Sequence, residues 1–289
     1  MLGGSLIMYY GMLASAALLF AMQFFFNQMF QKSRGDGVDS AVTLSLYMHG
    51  ISFLIMLVLN KFHLNITWFS LLMAAMYTAV VLGYSFASLK AFSTANLSVF
   101  SIFAMLGGML LPLAYGVIFR HEGFPITKII CVILIGIATA MSFEKGKKNK
   151  GNMKYYLAVF VLNGMVGVIS TIHQTKPELA VDSFSFMATV NICVVVVCAI
   201  FQLVVNKKIS RVTPKEFGSL AGYAVCNGVG NLLSLIALTA LPASVQFPIV
   251  TGGTMFFSTA LSVIRKEKPS AKTIVAALVA FAASVFIMF

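Results

Sequence analysis

Arg120-His-Glu122-Gly-Phe-Pro125, near the middle of the chain, returns near its end as Arg265-Lys-Glu267-Lys-Pro269. Each copy follows an apolar stretch holding a glycine pair, Gly107-Gly108 or Gly252-Gly253. Each opens another in which a lysine, Lys128 or Lys272, stands three residues beyond the proline. Chance would not repeat the surroundings along with the motif. At an offset of 146 residues Asn60-Lys61 falls on Asn206-Lys207, Thr67 on Thr213, Tyr77 on Tyr223, Ser88-Leu89 on Ser234-Leu235, Ser98-Val99 on Ser244-Val245 and Val117-Ile118 on Val263-Ile264. The chain reads as two copies of one unit: a first repeat over 1–144, a basic linker over 145–153 and a second repeat over 154–289.

The repeats are too apolar for a water-soluble fold. Hydrophobic residues make up 60% of the 289 and charged ones only 10%, with a mean hydropathy of +0.95, which places the chain in a membrane. Crossing a bilayer takes about 20 mostly apolar residues per helix. Ten stretches qualify: Ile7–Met29, Ala41–Leu59, Ile66–Leu89, Leu97–Phe119, Ile126–Phe143, Tyr155–Ile172, Phe184–Val205, Phe217–Leu238, Val245–Ile264 and Ala271–Phe289, five per repeat. No connection is long enough for a soluble domain, so function must reside in the helices and their short loops. Met1 to Ser5 lack the basic start of a signal peptide, and the first helix is expected to be retained.

The net charge of +12 would suit nucleic acid if it formed one patch, but the basic residues alternate with the spans, so no nucleic-acid partner is expected. Sixteen of the 20 Lys and Arg fall on one side, including the linker lysines. The other side holds Lys61, Arg120, Lys128 and Lys176. The positive-inside rule makes the richer side cytoplasmic and puts both termini outside. The four cysteines, Cys131, Cys193, Cys198 and Cys226, lie within apolar stretches without a CxxC pair and read as packing residues. No metal or cofactor is expected.

Five spans per repeat make the second copy enter the membrane from the opposite face. The repeats are then inverted about an axis in the membrane plane, which usually places a substrate site near the midplane between them. The doubled motif itself reads as a helix start, with Pro125 and Pro269 in the first turn and the acidic residue at the positive end of the dipole, in preference to a direct substrate role. The length, the five-plus-five organisation and the Arg120-His-Glu122 and Arg265-Lys-Glu267 connections resemble the drug/metabolite transporter superfamily, in particular its ten-helix EamA-type members. The resemblance implies an all-α integral membrane fold of two inverted five-helix repeats. It further implies a central cavity lined largely by the first, third, fourth, sixth, eighth and ninth helices, and alternating access. Members of this size are commonly drawn with both termini in the cytoplasm, which the Lys and Arg distribution here opposes. The expected location is a multi-pass position in a bacterial cytoplasmic (inner) membrane, as a monomer or homodimer.

All eight acidic residues, Asp36, Asp39, Glu122, Glu144, Glu178, Asp182, Glu216 and Glu267, lie in loops or at helix ends. A charge at mid-membrane costs roughly 2.5 to 3.5 kcal/mol on insertion scales and is kept for function. Its absence argues against export driven by a buried Glu and against a carboxylate-built sodium site. Uncharged polar residues are patterned instead. Tyr223, Asn227, Asn231 and Ser234 recur at i, i+4, i+8 and i+11 on one face of the eighth stretch. Their partners at the 146 offset are Tyr77, Val81, Ser85 and Ser88 in the third, with Tyr84 beside them. Asn163, Ser170 and Gln174 share a face of the sixth stretch, and Gln246 stands at the start of the ninth. The candidate cavity residues are therefore Tyr77, Tyr84, Ser88, Asn163, Tyr223, Asn227, Asn231, Ser234 and Gln246. Plain interhelical hydrogen bonding is the competing account.

His49, flanked by Ser45 and Ser52, is the one titratable group expected near mid-membrane. It reads either as a proton relay or, preferably, as a buried neutral histidine bonded to a neighbour. Gly107-Gly108 with Pro112, and Gly252-Gly253 with Pro248, suit either moving gates or close packing. Tyr84, Tyr115 and Tyr223 suit an aromatic cavity, and Tyr9-Tyr10 and Tyr155-Tyr156 interfacial belts. The expected function is secondary transport, with export as the expected direction, of a small neutral or zwitterionic metabolite, an amino acid or related compound. The alternatives are an exporter of lipophilic organic cations and, from another class, a membrane scaffold or intramembrane enzyme. No GxSxG, HExxH or paired intramembrane Asp is present, so an enzyme is not expected. The expected partners are a small-molecule substrate and the lipid bilayer.

Overall fold

The computed structural model describes residues 2–93, 97–121, 123, 126, 129–130, 132–134, 136–137, 153–267 and 269–286. Among these residues there are no strands, and eight helices are long and apolar enough to cross a bilayer. They are α1 (Leu2–Arg34), α2 (Val38–Leu59), α3 (Trp68–Phe92), α4 (Leu97–Arg120), α5 (Met153–Gln174), α6 (Ser183–Phe201), α7 (Pro214–Leu238) and α8 (Ala243–Ile264). A shorter apolar helix, α9 (Ala271–Phe286), follows, and α6 runs on into a π-helical turn over Gln202–Asn206. The protein is an all-α, multi-pass integral membrane protein. Between 126 and 137 the described positions are helical. The remainder of the fifth stretch, the linker 145–152, and Glu122, Pro125, Lys128, Cys131 and Glu144 lie outside the described residues.

Most helices overrun their apolar stretches by a turn or less, because backbone hydrogen bonding continues until a cap satisfies the last N–H and C=O groups. Thr67 caps α3 through Ser70 N (3.2 Å), so α3 starts at Trp68 rather than Ile66. Thr213 caps α7 in a reciprocal box with Glu216, and Asp182 caps α6 through Ser185 N (2.9 Å). At their C-termini, α2 and α8 close with the same wrap, Phe62 N to Leu57 O (2.8 Å) and Glu267 N to Ser262 O (3.0 Å). Each is preceded by a lysine in the left-handed region, Lys61 and Lys266.

The second copy of the doubled motif differs from its sequence reading. Pro269 lies outside α9, whose start is capped by Ser270 through Thr273 N (3.2 Å). Glu267 turns away from the α9 dipole to pair with Arg265 (3.0 Å) and Lys32 (3.9 Å). Arg265 also donates to Gln28 Oε1 of α1 (2.6 Å) and stacks over Phe25. Its role is to tie the end of α8 to the end of α1.

The helices pack α1 on α7 and α8, α5 on α3 and α4, α2 on α6 and α7, α3 on α6, α4 on α8, and α8 on α9. Small residues set the closest crossings. A Cβ at Gly107 would fall on the Phe160 carbonyl of α5, and one at Gly253 would stand 2.8 Å from Ala17 Cβ of α1. Tyr156 is buried and stacks on Phe103 rather than lying at an interface, while Tyr155 carries Lys154 over its ring. Cys198 and Cys226 are buried and Cys193 is half-buried.

Candidate functional site

A cavity of about 110 Å³ lies at mid-depth among α1 to α8. The α7 stripe forms one wall, since Tyr223, Asn227, Asn231 and Ser234 all reach it at the helical spacing of the sequence. Across from it stand Tyr77, Val81, Tyr84 and Ser85 of α3, with Asn163 and Ser170 of α5 and Gln246 and Thr251 of α8. Phe20, Phe24 and Phe247 supply the apolar surface. None of the lining residues is Asp, Glu, Lys or Arg.

Hydrogen bonds within and between helices hold the polar wall in place. Asn227 Nδ2 donates to Gln23 Oε1 of α1 (2.8 Å), and Asn231 Nδ2 to the Asn227 carbonyl (2.9 Å). Gln246 Nε2 donates to the Ser234 carbonyl (2.9 Å), and Asn163 Nδ2 to the Ala104 carbonyl of α4 (2.6 Å). Thr251 Oγ1 donates to the Met105 carbonyl (3.1 Å), joining α8 to α4. Among the described residues, Tyr84 Oη, Ser234 Oγ, Gln246 Oε1 and His49 Nε2 are buried and have no protein partner. Such atoms are costly in an apolar interior unless a ligand or water meets them.

The two ends of the cavity differ. Toward the Lys- and Arg-poor face it reaches Leu238, the last residue of α7, and Gln246 in the first turn of α8. Toward the basic face it stops at Tyr84, Ser85 and Tyr223. Beyond them Phe30, Leu44, Leu89 and Leu220 form a layer with no exposed surface.

An ionic layer covers that plug. Arg34 bonds Asp39 Oδ2 (3.2 Å) and the Arg211 carbonyl (2.9 Å) and pairs with Glu216 (3.6 Å). Asp39 Oδ1 accepts from Asn206 (2.7 Å) and Ser210 (2.8 Å), and Lys90 pairs with Asp36 (3.3 Å). The described acidic residues thus lie in loops or at helix ends, away from the cavity.

Of the sequence candidates, Tyr77, Tyr84, Asn163, Tyr223, Asn227, Asn231, Ser234 and Gln246 line the cavity. Ser88 does not. It accepts from Asn27 Nδ2 (3.2 Å) and donates to the Ser85 carbonyl, behind the wall. His49 lines it from α2, a helix outside the set that the resemblance implies, and its Nδ1 meets Asn191 Oδ1 of α6 (2.6 Å). Tyr115 stacks on Phe119 instead. His173 is fully buried between Phe69 and Phe186 with Nε2 at Ser70 Oγ (2.9 Å). Gln174 bonds His173 and Ser183 outside the cavity. Gln23 and Thr251 went unread. Gln23 stands four residues before Asn27 on one helix face, which was a usable signal.

No family model matches this chain, and no curated protein matches it. Among solved structures, one described only as "Crystal structure of protein" is similar at a TM-score of 0.69. It is 12% identical over 95% of this chain and 98% of its own. At that identity the likeness is one of fold alone.

Proposed function

We propose that the chain is a secondary transporter that moves a small neutral or zwitterionic metabolite by alternating access through the mid-depth cavity between two inverted five-helix repeats. The observation that carries this reading is a cavity walled by helices of both halves that sets uncharged polar side chains in a mainly apolar lining, with no carboxylate among its described residues, extended toward one face and blocked from the other by a packed and ion-paired layer. A scaffold has no need of buried polar atoms left open on a shared cavity.

Residue contacts support the inversion. Adding 146 to residue numbers of the first half and subtracting it from those of the second turns the α1–α7 contact into α5–α3, α4–α5 into α8–α1 and α2–α7 into α6–α3. The pairs α2–α6 and α4–α8 map onto themselves. Asn60 Nδ2 donates to Ser185 Oγ (3.2 Å), and the equivalent Asn206 Nδ2 donates to the equivalent Asp39 Oδ1 (2.7 Å). Thr251 bonds Met105, its own counterpart. A residue meets its counterpart only on the two-fold axis, so the axis passes beside the cavity.

In this reading the Lys and Arg distribution puts the ion-paired face in the cytoplasm, and a bacterial cytoplasmic membrane and export are the location and direction proposed with it. Counterflow into liposomes holding the purified chain, against an unbiased metabolite panel, tests the function; well-folded protein that moves no solute would refute it. Reaction of cysteines introduced in 145–153 with an impermeant reagent tests the sidedness, and labelling from outside alone reverses it.

A further inference from the structure

The donors and acceptors of the cavity are unequally engaged. Five carboxamides line it, Gln23, Asn163, Asn227, Asn231 and Gln246; the last four each have an N–H committed to the protein, and Gln23 Oε1 accepts from Asn227. For three of them the partner is a backbone carbonyl, of Ala104, Asn227 or Ser234, which accepts and never donates. Which end of those amides is the nitrogen is therefore set by chemistry. Gln246 Oε1, buried and without a protein partner, is a pure acceptor. Ser234 Oγ on the neighbouring helix and Tyr84 Oη at the basic end of the cavity also lie open, with lone pairs to offer.

Fixed charge is missing as well. Among the described residues, no Lys, Arg, Asp or Glu lines the cavity to neutralise an ionised ligand. The first-turn amides of α8 are no substitute, because Val245 N and Gln246 N already bond the Pro242 carbonyl. An ammonium or carboxylate taken from water into such a site would lose its hydration without a counter-charge. Phe20, Phe24 and Phe247 offer apolar surface to the rest of a ligand.

Resting on the transport reading above, we infer that the cavity selects an uncharged solute that donates N–H or O–H hydrogen bonds to Gln246 and Ser234 and lays an apolar body against Phe20, Phe24 and Phe247. This narrows the substrate class, since zwitterions and organic cations are excluded together.

The test is binding of five probes sharing one phenyl body to the purified full chain in nanodiscs: 2-phenylacetamide, its N,N-dimethyl derivative, phenylacetate, 2-phenylethylammonium and L-phenylalanine. Radiolabelled 2-phenylacetamide is expected to bind, and the dimethyl amide and the three ionised probes to compete at least about tenfold more weakly, the scale of one lost hydrogen bond in a buried site. Gln246→Leu is expected to weaken the primary amide by a similar factor. Ser234→Ala, which removes no bond within the protein, does so by less and serves if Gln246→Leu does not fold.

Absence of 2-phenylacetamide binding, equal competition by the dimethyl amide, or tighter binding of any ionised probe overturns the inference. Counterflow of some other solute by a protein that binds none of the five would refute this inference and leave transport standing. Binding of the amide without counterflow of any solute would do the reverse.

Discussion

The α3 and α7 helices occupy equivalent places in the two repeats and start from equivalent threonine caps, yet they treat the cavity differently. At the shared positions α7 presents Tyr223, Asn227, Asn231 and Ser234, and all four reach the cavity. Their α3 counterparts are Tyr77, Val81, Ser85 and Ser88, of which Ser88 is drawn off by Asn27. His173, the counterpart of Asn27, bonds Ser70 near the opposite end of α3 and leaves Ser234 open to the cavity. Helices 146 residues apart thus share caps and crossings while their individual side chains differ. The α7 helix forms the richer hydrogen-bonding wall.

Substitutions at paired positions are ways to break or sharpen that comparison. The largest effect is expected at the glycine crossings. Gly107→Ala sets a methyl group on the backbone of Phe160 and should cost more than about 3 kcal/mol. Gly253→Ala meets only the Ala17 side chain and should cost about 1 to 3 kcal/mol. Thermal unfolding in detergent checks the order, and equal losses would show that the two crossings tolerate volume alike.

Next comes the polar wall. Asn227→Ala is expected to lower counterflow about tenfold with assembly intact, whereas Val81→Ala at the equivalent place changes it less than about twofold. Loss of assembly in Asn227→Ala would make the stripe a packing device.

At the basic face, Arg34→Gln leaves the nearly buried Glu216 and its neighbour Asp39 short of a cation. It should cost about 1 to 3 kcal/mol, read from the same unfolding curves. No change would show that the ionic layer contributes nothing to closure.

The caps are smaller: Thr213→Ala should cost about 1 kcal/mol and Thr67→Ala about as much, each checked by melting temperature. His49→Ala is expected to retain counterflow while lowering the yield of folded protein, through loss of its bond to Asn191. Abolition of proton-driven uptake with normal folding would promote it to a proton relay.

How far the sequence carries depends on whether a feature is local. The positions of the eight long apolar helices were legible because a bilayer imposes about 20 apolar residues per crossing. The α7 stripe was legible because helical periodicity is local, so Tyr223, Asn227, Asn231 and Ser234 share a face in any helix. At the 146-residue offset, Lys61 and Lys207 also share the left-handed backbone conformation.

Which neighbour a shared face meets is not local, and only the tertiary structure decided it. Ser88 and Ser234 are the same residue at the same register. The packing of α1 on α3 hides the first, and a different residue at the end of α5 leaves the second exposed to the cavity. Gln23, Thr251 and His49 gained their places from the crossings of α1 with α7, α4 with α8 and α2 with α6. The sequence alone determined an all-α membrane protein with a polar stripe on one helix. The choice of which atoms of that stripe stay open belonged to helix packing, because an orphaned hydrogen-bonding group is a property of everything around it.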